Sequence, residues 1–328
     1  MSDTSVLIGL SAVIVSVQNG EPCVFIVKGA QHGALSGTKQ AGENDALPLG
    51  AFDPDEHRTL EIGLRSWVNE QTPLDPGYVE QLYTFGNRGR YAGIDDDGNR
   101  VISVGYLALV HNDKEMDDPK MFWGKWYEYF PWEDWRQGRP KMLDAVILPA
   151  LRKWTDRGSD QSEIQHRKAR LNLHFGDSSG NWNDENTLKR YELLYEARLV
   201  PEALRDKGIE RTDDMTVVPG RMMAYDHRRI LATAMGRVRA KIKYRPVVFE
   251  LMPESFTLLE LQRTVEAIGG HLLHKQNFRR LVDHAGLVEE TGETTARSGG
   301  RPASLFRFRQ DVVMERMAPG VRMSPTRA

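Results

Sequence analysis

Apolar residues recur along this chain with two different periods, and the changes of period divide it. Leu10–Val17 and Cys23–Val27 are β-branched apolar runs separated by Gln18-Asn19-Gly20-Glu21-Pro22, a composition that predicts a hairpin. The longer run, Val6–Val17, is broken by Gly9, Ser11 and Ser16 and has no basic flank, so it reads as a buried strand rather than a signal peptide. The polar, glycine-bearing stretch Gly29–Leu49 predicts a loop. After Pro54-Asp55 the spacing of Leu60, Leu64, Trp67 and Val68 predicts a helix to about Glu70. Gln81–Phe85 and Val101–Val110 return to strand character on either side of the acidic, glycine-rich turn Gly86–Asn99.

Beyond residue 112 the period is helical. Leu143, Val146, Ile147, Ala150, Leu151 and Trp154 form one face of a helix that Pro149 is expected to kink. Asn186–Leu204 predicts another helix, presenting Leu188, Tyr191, Leu194, Tyr195 and Leu199, while Gly158–Asn183 reads as polar and irregular. Four of the seven tryptophans fall in Trp123–Trp135, which predicts a helical segment packed on the sheet rather than a base-stacking platform.

A third pattern starts near Val217. Asp226 is placed to cap a helix to about Lys243 with Ile230, Ala234 and Val238 on one face. Pro246 stops it, and Val247–Leu251 predicts a short strand. Thr257-Leu-Leu-Glu260 is a capping box opening a helix with Leu258, Leu261, Val265 and Ile268 inward. Gly269-Gly270 makes a turn. A second helix, about His274–His284, buries Phe278, Leu281 and Val282 and ends at Gly286. Leu287-Val288 starts a strand, and Ser304–Arg309 closes a hairpin. That order of elements is a winged helix-turn-helix.

The length of 328 residues suits two domains with an extra segment. The single cysteine, Cys23, excludes an internal disulfide and a cysteine-based zinc site, and 27% charged residues exclude a membrane protein; the cytoplasm is the expected compartment. The net charge of −2 hides an asymmetry. From Thr216 onward there are 19 Lys and Arg against 11 Asp and Glu, leaving 25 against 35 before it. An acidic body with a basic end points to a polyanionic partner at that end, although a solvated basic surface gives the same balance.

On the second helix of the C-terminal pair, the inward apolar positions leave Lys275, Gln276, Arg279 and Arg280 outward, with Asn277 near them. Arg and Lys address guanine edges or phosphates, and Gln and Asn suit adenine. The loop Thr294–Pro302 carries Arg297 and Arg301 on a glycine-containing backbone, as a wing along a minor groove requires. Protein contact through a winged helix is the alternative use.

Around the first predicted helix, Gly50, Glu56, Arg65, Trp67, Glu70 and Thr72 resemble the Nudix box, in which helix carboxylates hold divalent metals on a diphosphate. Ser66 and Asn69 stand where that family has Glu, Leu49 replaces a glycine, and the Glu56-to-Arg65 spacing is one residue longer. Catalysis by the usual route is therefore expected to fail, with no catalytic or metal-binding residue assigned. Glu56 or Glu61 as a second ligand leaves residual activity open. The expected fold is α+β: a Nudix-like α/β/α sandwich over 1–155, a helical insert over 156–215 and a winged helix over 216–328.

Further strings resemble the NrtR group of Nudix-related regulators of NAD metabolism. They are Glu80–Gly86 with Arg88 and Arg90, Arg100–Val110, Ala224–His227 with Ile230–Ala234, Phe249–Pro253, Asn277–Arg280 and Gly300–Ala303. The segment of about 136–215 and the overall length are similar to the longer NadQ-like relatives. The resemblance implies a homodimeric repressor of NAD biosynthesis genes on a palindromic operator of double-stranded DNA. It implies no required cofactor but a nucleotide effector (ADP-ribose, NAD or ATP) near Glu56, Arg65, Glu70, Arg88 and Arg90. In the family the Glu–Arg pair, here Glu56 and Arg65, braces loop against helix. An active hydrolase of ADP-ribose or NAD with an accessory domain is the alternative, and a protein-interaction scaffold is a third reading.

Overall fold

The computed structural model describes residues 6–28, 44–74, 76–87, 100–111, 118–176, 182–295 and 302–309. Strands β1 (Val6–Gln18) and β2 (Glu21–Lys28) form the hairpin read from the sequence. Asn19 and Gly20 both take left-handed φ values, 51° and 76°, as the tight turn between right-twisted strands requires. With β3 (Asp45–Ala46), β4 (Leu49–Ala51), β5 (Tyr78–Phe85), β6 (Arg100–Leu109) and β7 (Met121–Lys125) they make one sheet. Its order is β3-β2-β1-β6-β5, with β4 also on β1 and β7 on β2. The β1–β6 pair is parallel, from Val6 opposite Arg100 to Val15 opposite Leu109, and the others are antiparallel.

Strand alternation sends the side chains to two cores. Leu10, Ala12 and Ile14 pack with Phe25, Val104 and Tyr106 under α1 (Leu60–Gln71), through Leu64 and Val68. Val13, Val15, Val24, Ile26, Leu107 and Leu109 face the other way. They meet Trp126, Tyr129, Phe130 and Trp132 of the segment containing α2 (Trp126–Tyr129), then α3 (Leu148–Thr155), α5 (Thr187–Glu196) and α7 (His227–Tyr244). The result is an α/β/α sandwich, and the tryptophan cluster is core. Trp126 and Trp132 are fully buried.

Several local expectations are corrected. Residues 161–175 are not irregular but form α4 (Gln161–Phe175), capped by Asp160, whose carboxylate accepts from the Glu163 N–H. Its inward stripe is Ile164, Arg167, Leu171 and Phe175. The guanidinium of Arg167 lies 4.2 Å from the Trp154 ring, so a charged residue occupies an apolar position and conceals the period. The predicted helix over 186–204 is two: α5 ends where Arg198 turns left-handed (φ 58°), and α6 (Pro201–Arg205) restarts at a proline. Before Pro149 the chain widens into a π-helical turn, Leu143–Ile147, instead of a simple kink; the proline ring and missing N–H are accommodated there. Val247–Leu251 is a 3-10 helix, not a strand; Val247 and Leu251 pack into the sandwich core and Val248 into the cluster of the winged part. Finally, α1 starts at Leu60 rather than after Asp55, because Asp53 accepts from the Asp55 N–H and closes a separate turn ahead of the Thr59 cap.

The winged part consists of α8 (Leu258–Gly269), α9 (Lys275–Ala285), β8 (Val288–Thr294) and β9 (Ser304–Phe308). The Thr257–Glu260 capping box is formed in both directions, and Gly270 (φ 76°) and Gly286 (φ 61°) end the two helices. Phe256 pairs with Phe306 and ties the helix pair to the hairpin.

This part is fastened to the sandwich through the last carbonyls of α8. The Tyr127 hydroxyl donates to Ala267 O (2.6 Å), Arg239 Nε to Ile268 O (3.0 Å) and the Trp135 N–H to Gly270 O (2.7 Å). Burial pushes the Tyr127 hydroxyl up to about 12, so it remains a donor. Beneath them Glu133 is fully buried between two arginines. It accepts from Arg190 at 2.6 and 2.7 Å and from Arg239 at 2.8 Å. Burial alone would raise the Glu133 carboxyl, but the contacts of Arg190 and Arg239 outweigh it and hold it below its ordinary 4.5.

Replacing Glu133 by Gln would leave two buried guanidiniums without a counter-charge, an expected loss of ~3–5 kcal/mol. Urea unfolding monitored by tryptophan fluorescence measures it; a loss below ~1 kcal/mol would contradict the account. The depressed carboxyl contributes stability that is present above its ordinary 4.5 and is lost as pH falls through the folded value. Wild-type stability is therefore expected to fall more steeply on acidification than that of Glu133→Gln.

Candidate DNA-binding face and effector region

On α9 the turn geometry and one apolar face decide orientation. Phe278 is buried and Leu281 and Val282 are half-buried, so Lys275, Gln276, Asn277, Arg279 and Arg280 are brought together on the exposed side. Lys275, Arg279 and Arg280 carry no ion pair among the described residues. On the hairpin, by contrast, Arg307 is paired to Glu289 at 2.7 Å. The hairpin ends meet where the Thr295 N–H donates to Ala303 O (2.9 Å). Arg297 and Arg301 lie between those two residues in sequence and outside the described residues. Three unpaired cations and two amide side chains on one exposed helix face can meet phosphates and base edges without first breaking internal contacts.

The region around the Nudix-box residues is built on α1 and β4. The Trp67 indole N–H donates to Ala51 O (2.7 Å), and the Gln71 amide donates to Leu49 O (3.0 Å), so the helix is clamped across β4. Gly50 sits under the indole: a Cβ there would lie 2.2 Å from the ring. Close approach of ring to backbone is therefore what this glycine provides, whatever its φ. Ser66 donates to the Glu70 carboxylate (3.0 Å), and Asn69 and Glu70 are exposed.

The brace implied between Glu56 and Arg65 does not form. Arg65 instead donates to Glu61 (3.1 Å) and to Pro76 O (2.8 Å), while Glu56 is exposed in the turn closed by Asp53. Glu61 lies one turn earlier on the same helix face, so the pair closes no loop, whereas Glu56 lies outside the helix. Arg88 and Arg90 lie outside the described residues. Among the described residues no group of three or more His, Cys, Asp or Glu side chains is arranged to hold a metal ion.

Sequence reasoning did not single out the link from this region to α7. On β5, Glu80 accepts from Arg237 (2.8 Å), pairs with Lys241 (2.7 Å) and accepts from the Tyr78 hydroxyl (2.8 Å). Burial opposes ionisation of Glu80, but these contacts outweigh it and hold the carboxyl below its usual range. The signal available in the sequence was only a Tyr-x-Glu on one strand face, which carries no partner information.

Gly50→Ala forces the Trp67 indole off its seat, and a cost of ~1–3 kcal/mol is expected. A thermal melt checks it together with Trp67 emission; an unchanged melting temperature would refute the clamp.

Residues 248–308 match the family model described as the NrtR DNA-binding winged helix domain. An 86-residue stretch is 44% identical to the ADPR responsive transcriptional repressor NtrR of Acinetobacter baylyi, covering 26% of this chain and 34% of that protein. The match thus spans about a third of that relative's length. The crystal structure of Shewanella oneidensis NrtR is similar over 93% of this chain and 95% of its own, with 20% identity and a TM-score of 0.54. The same protein in complex with a 27mer DNA gives 20% identity and 0.51, over 94% and 95%. A MutT/nudix family protein from Enterococcus faecalis gives 15% identity and 0.53, over 94% and 90%. The chain therefore carries an NrtR-type winged helix domain at its C-terminal side and shares the Nudix-like, two-part α+β fold of the NrtR structures.

Proposed function

We propose that this protein is a DNA-binding transcriptional repressor of NAD biosynthesis genes, controlled by a nucleotide effector on its Nudix-like part. The observation that carries the reading is the unpaired basic face of α9, set on a winged helix of the NrtR DNA-binding type. Lys275, Gln276, Asn277, Arg279 and Arg280 are assigned to the major groove and Arg297 and Arg301 to the flanking backbone or minor groove. A single winged helix reads few base pairs, so a homodimer on a palindromic operator is part of the proposal. We assign 1–155 to effector sensing, 156–215 to the insert and 216–328 to DNA binding, with α7 of that last part packed on the sandwich and the winged helix itself over 248–308, and place the protein in the cytoplasm with the longer NadQ-like relatives.

For the effector, the Acinetobacter relative is named for its response to ADPR, and ADP-ribose, NAD and ATP share the diphosphate that Arg65, Arg88 and Arg90 would meet. Glu56 and Glu70 complete the proposed site. Hydrolysis is not proposed. With Ser66 and Asn69 in place of two carboxylates, Glu70 alone cannot neutralise a divalent ion on a diphosphate as three carboxylates would. Within one protomer the carbonyls at the end of α8 are bonded to the sandwich. Effector binding is therefore assigned to changing the relation between the two winged helices of a dimer, through different affinities for two arrangements.

The test is fluorescence anisotropy with promoter DNA of NAD biosynthesis genes at stated salt, with and without each nucleotide. Specific binding modulated by one nucleotide is expected, and Arg279→Ala is expected to weaken it by ~1–3 kcal/mol. No sequence preference at any salt would end the regulator reading. Magnesium-dependent turnover of ADP-ribose or NAD would then support the hydrolase.

A further inference from the structure

A cavity of about 440 Å³ opens behind α9, at the junction of the winged helix with the end of α7. Its walls are apolar: Val248 and Phe249 after α7, Leu261 and Val265 from α8, and Phe278 and Val282 from α9. Four basic-type side chains, Lys243, Arg245, His274 and Arg280, share the lining, and no acidic residue does. Lys243 is held by Asp184 and Glu185 at 2.8 and 2.9 Å. Arg245 and Arg280 are exposed and make no ion pair among the described residues. The volume falls in the range of small-molecule sites, roughly 300–1,000 Å³.

We propose that the cavity is a second ligand site, separate from the region around α1, and that it takes a small amphipathic anion. An alkyl or aromatic body fits the walls, and a single carboxylate or sulfonate head meets Arg245 and Arg280. The charges of Arg245 and Arg280, which have no counter-charge among the described residues, select against a cationic head on the same body. Phe278, Leu281 and Val282 put the body of an occupant against the back of α9, while Asn277 and Arg280 of the outward set stand at its edge. Any effect on operator affinity rests on the DNA-binding proposal; the site itself does not.

The probe is decanoate, titrated calorimetrically into the full chain without DNA. Saturable one-to-one binding is expected. Val265→Trp, which fills the cavity, is expected to weaken it by about tenfold or more. Arg245→Gln, which removes one exposed charge, is expected to weaken it by about threefold. Decyltrimethylammonium, with the same chain length and a cationic head, is expected not to compete. Circular dichroism verifies folding of each variant, and Ala285→Met replaces Val265→Trp if that variant fails to fold. Absence of saturable binding overturns the site, as do binding that the filling substitution leaves unchanged and equal binding of the cationic probe. Because no DNA is present, a negative result leaves the repressor proposal standing.

Discussion

The buried carboxylate of Glu133 is the constraint on which the arrangement of this protein turns. It lies just after β7 and α2, yet it holds Arg190 of α5 and Arg239 of α7. One carboxylate cannot balance two guanidiniums, and the remaining positive charge is met by backbone carbonyls near helix ends. Arg190 donates to His174 O near the end of α4, and Arg239 to Ile268 O near the end of α8. Helix C-termini carry partial negative charge and unsatisfied carbonyls, so the arginines neutralise both. Trp182 stacks on Arg190 at 3.8 Å and keeps water away. A buried ion pair of this kind is a weak source of net stability, but it tolerates little displacement because any separation leaves a charge in low dielectric. Four helices are thereby held to one point.

A direct consequence is the attitude of the winged helix. The end of α8 is bonded to Tyr127, Trp135 and Arg239 of the sandwich side, and α9 follows it across one glycine turn. The region around α1 lies on the opposite face of the sheet from α7. Among the described residues a chain of polar contacts runs between them. Arg65 reaches Pro76 O, β5 begins two residues later, and Glu80 on β5 holds Arg237 and Lys241. Charge-assisted contacts thus stand on both sides of an edge strand that runs between α1 and α7.

Much of the fold is legible in the sequence. The β1–β2 hairpin, α1, the strands β5 and β6, the capping box of α8 and the glycine ends of α8 and α9 each follow from local rules. Their residues satisfy those rules without help from distant parts of the chain. The errors share a different cause. Arg167 stands in the apolar stripe of α4 because its planar cation rests on Trp154, which lies 13 residues away, and periodicity counts it as polar. Val247–Leu251 has strand composition, yet it joins no sheet among the described residues and takes up a 3-10 helix.

The site divides in the same way. By itself the sequence determined which residues of α9 face outward, because one apolar stripe on an 11-residue helix leaves only one orientation for Lys275, Gln276, Arg279 and Arg280. The resemblance of the α1 region to a Nudix box, with Ser66 and Asn69 at two of its positions, is likewise a reading of the sequence alone. Only the tertiary structure decided that Arg65 takes Glu61 and Pro76 instead of Glu56, that Gly50 exists to seat Trp67, and that Glu133 gathers Arg190 and Arg239. Local spacing fixes the direction of a side chain on its own element, since backbone geometry repeats. Which distant charge it meets depends on where the elements are packed, and that information is spread over the whole core.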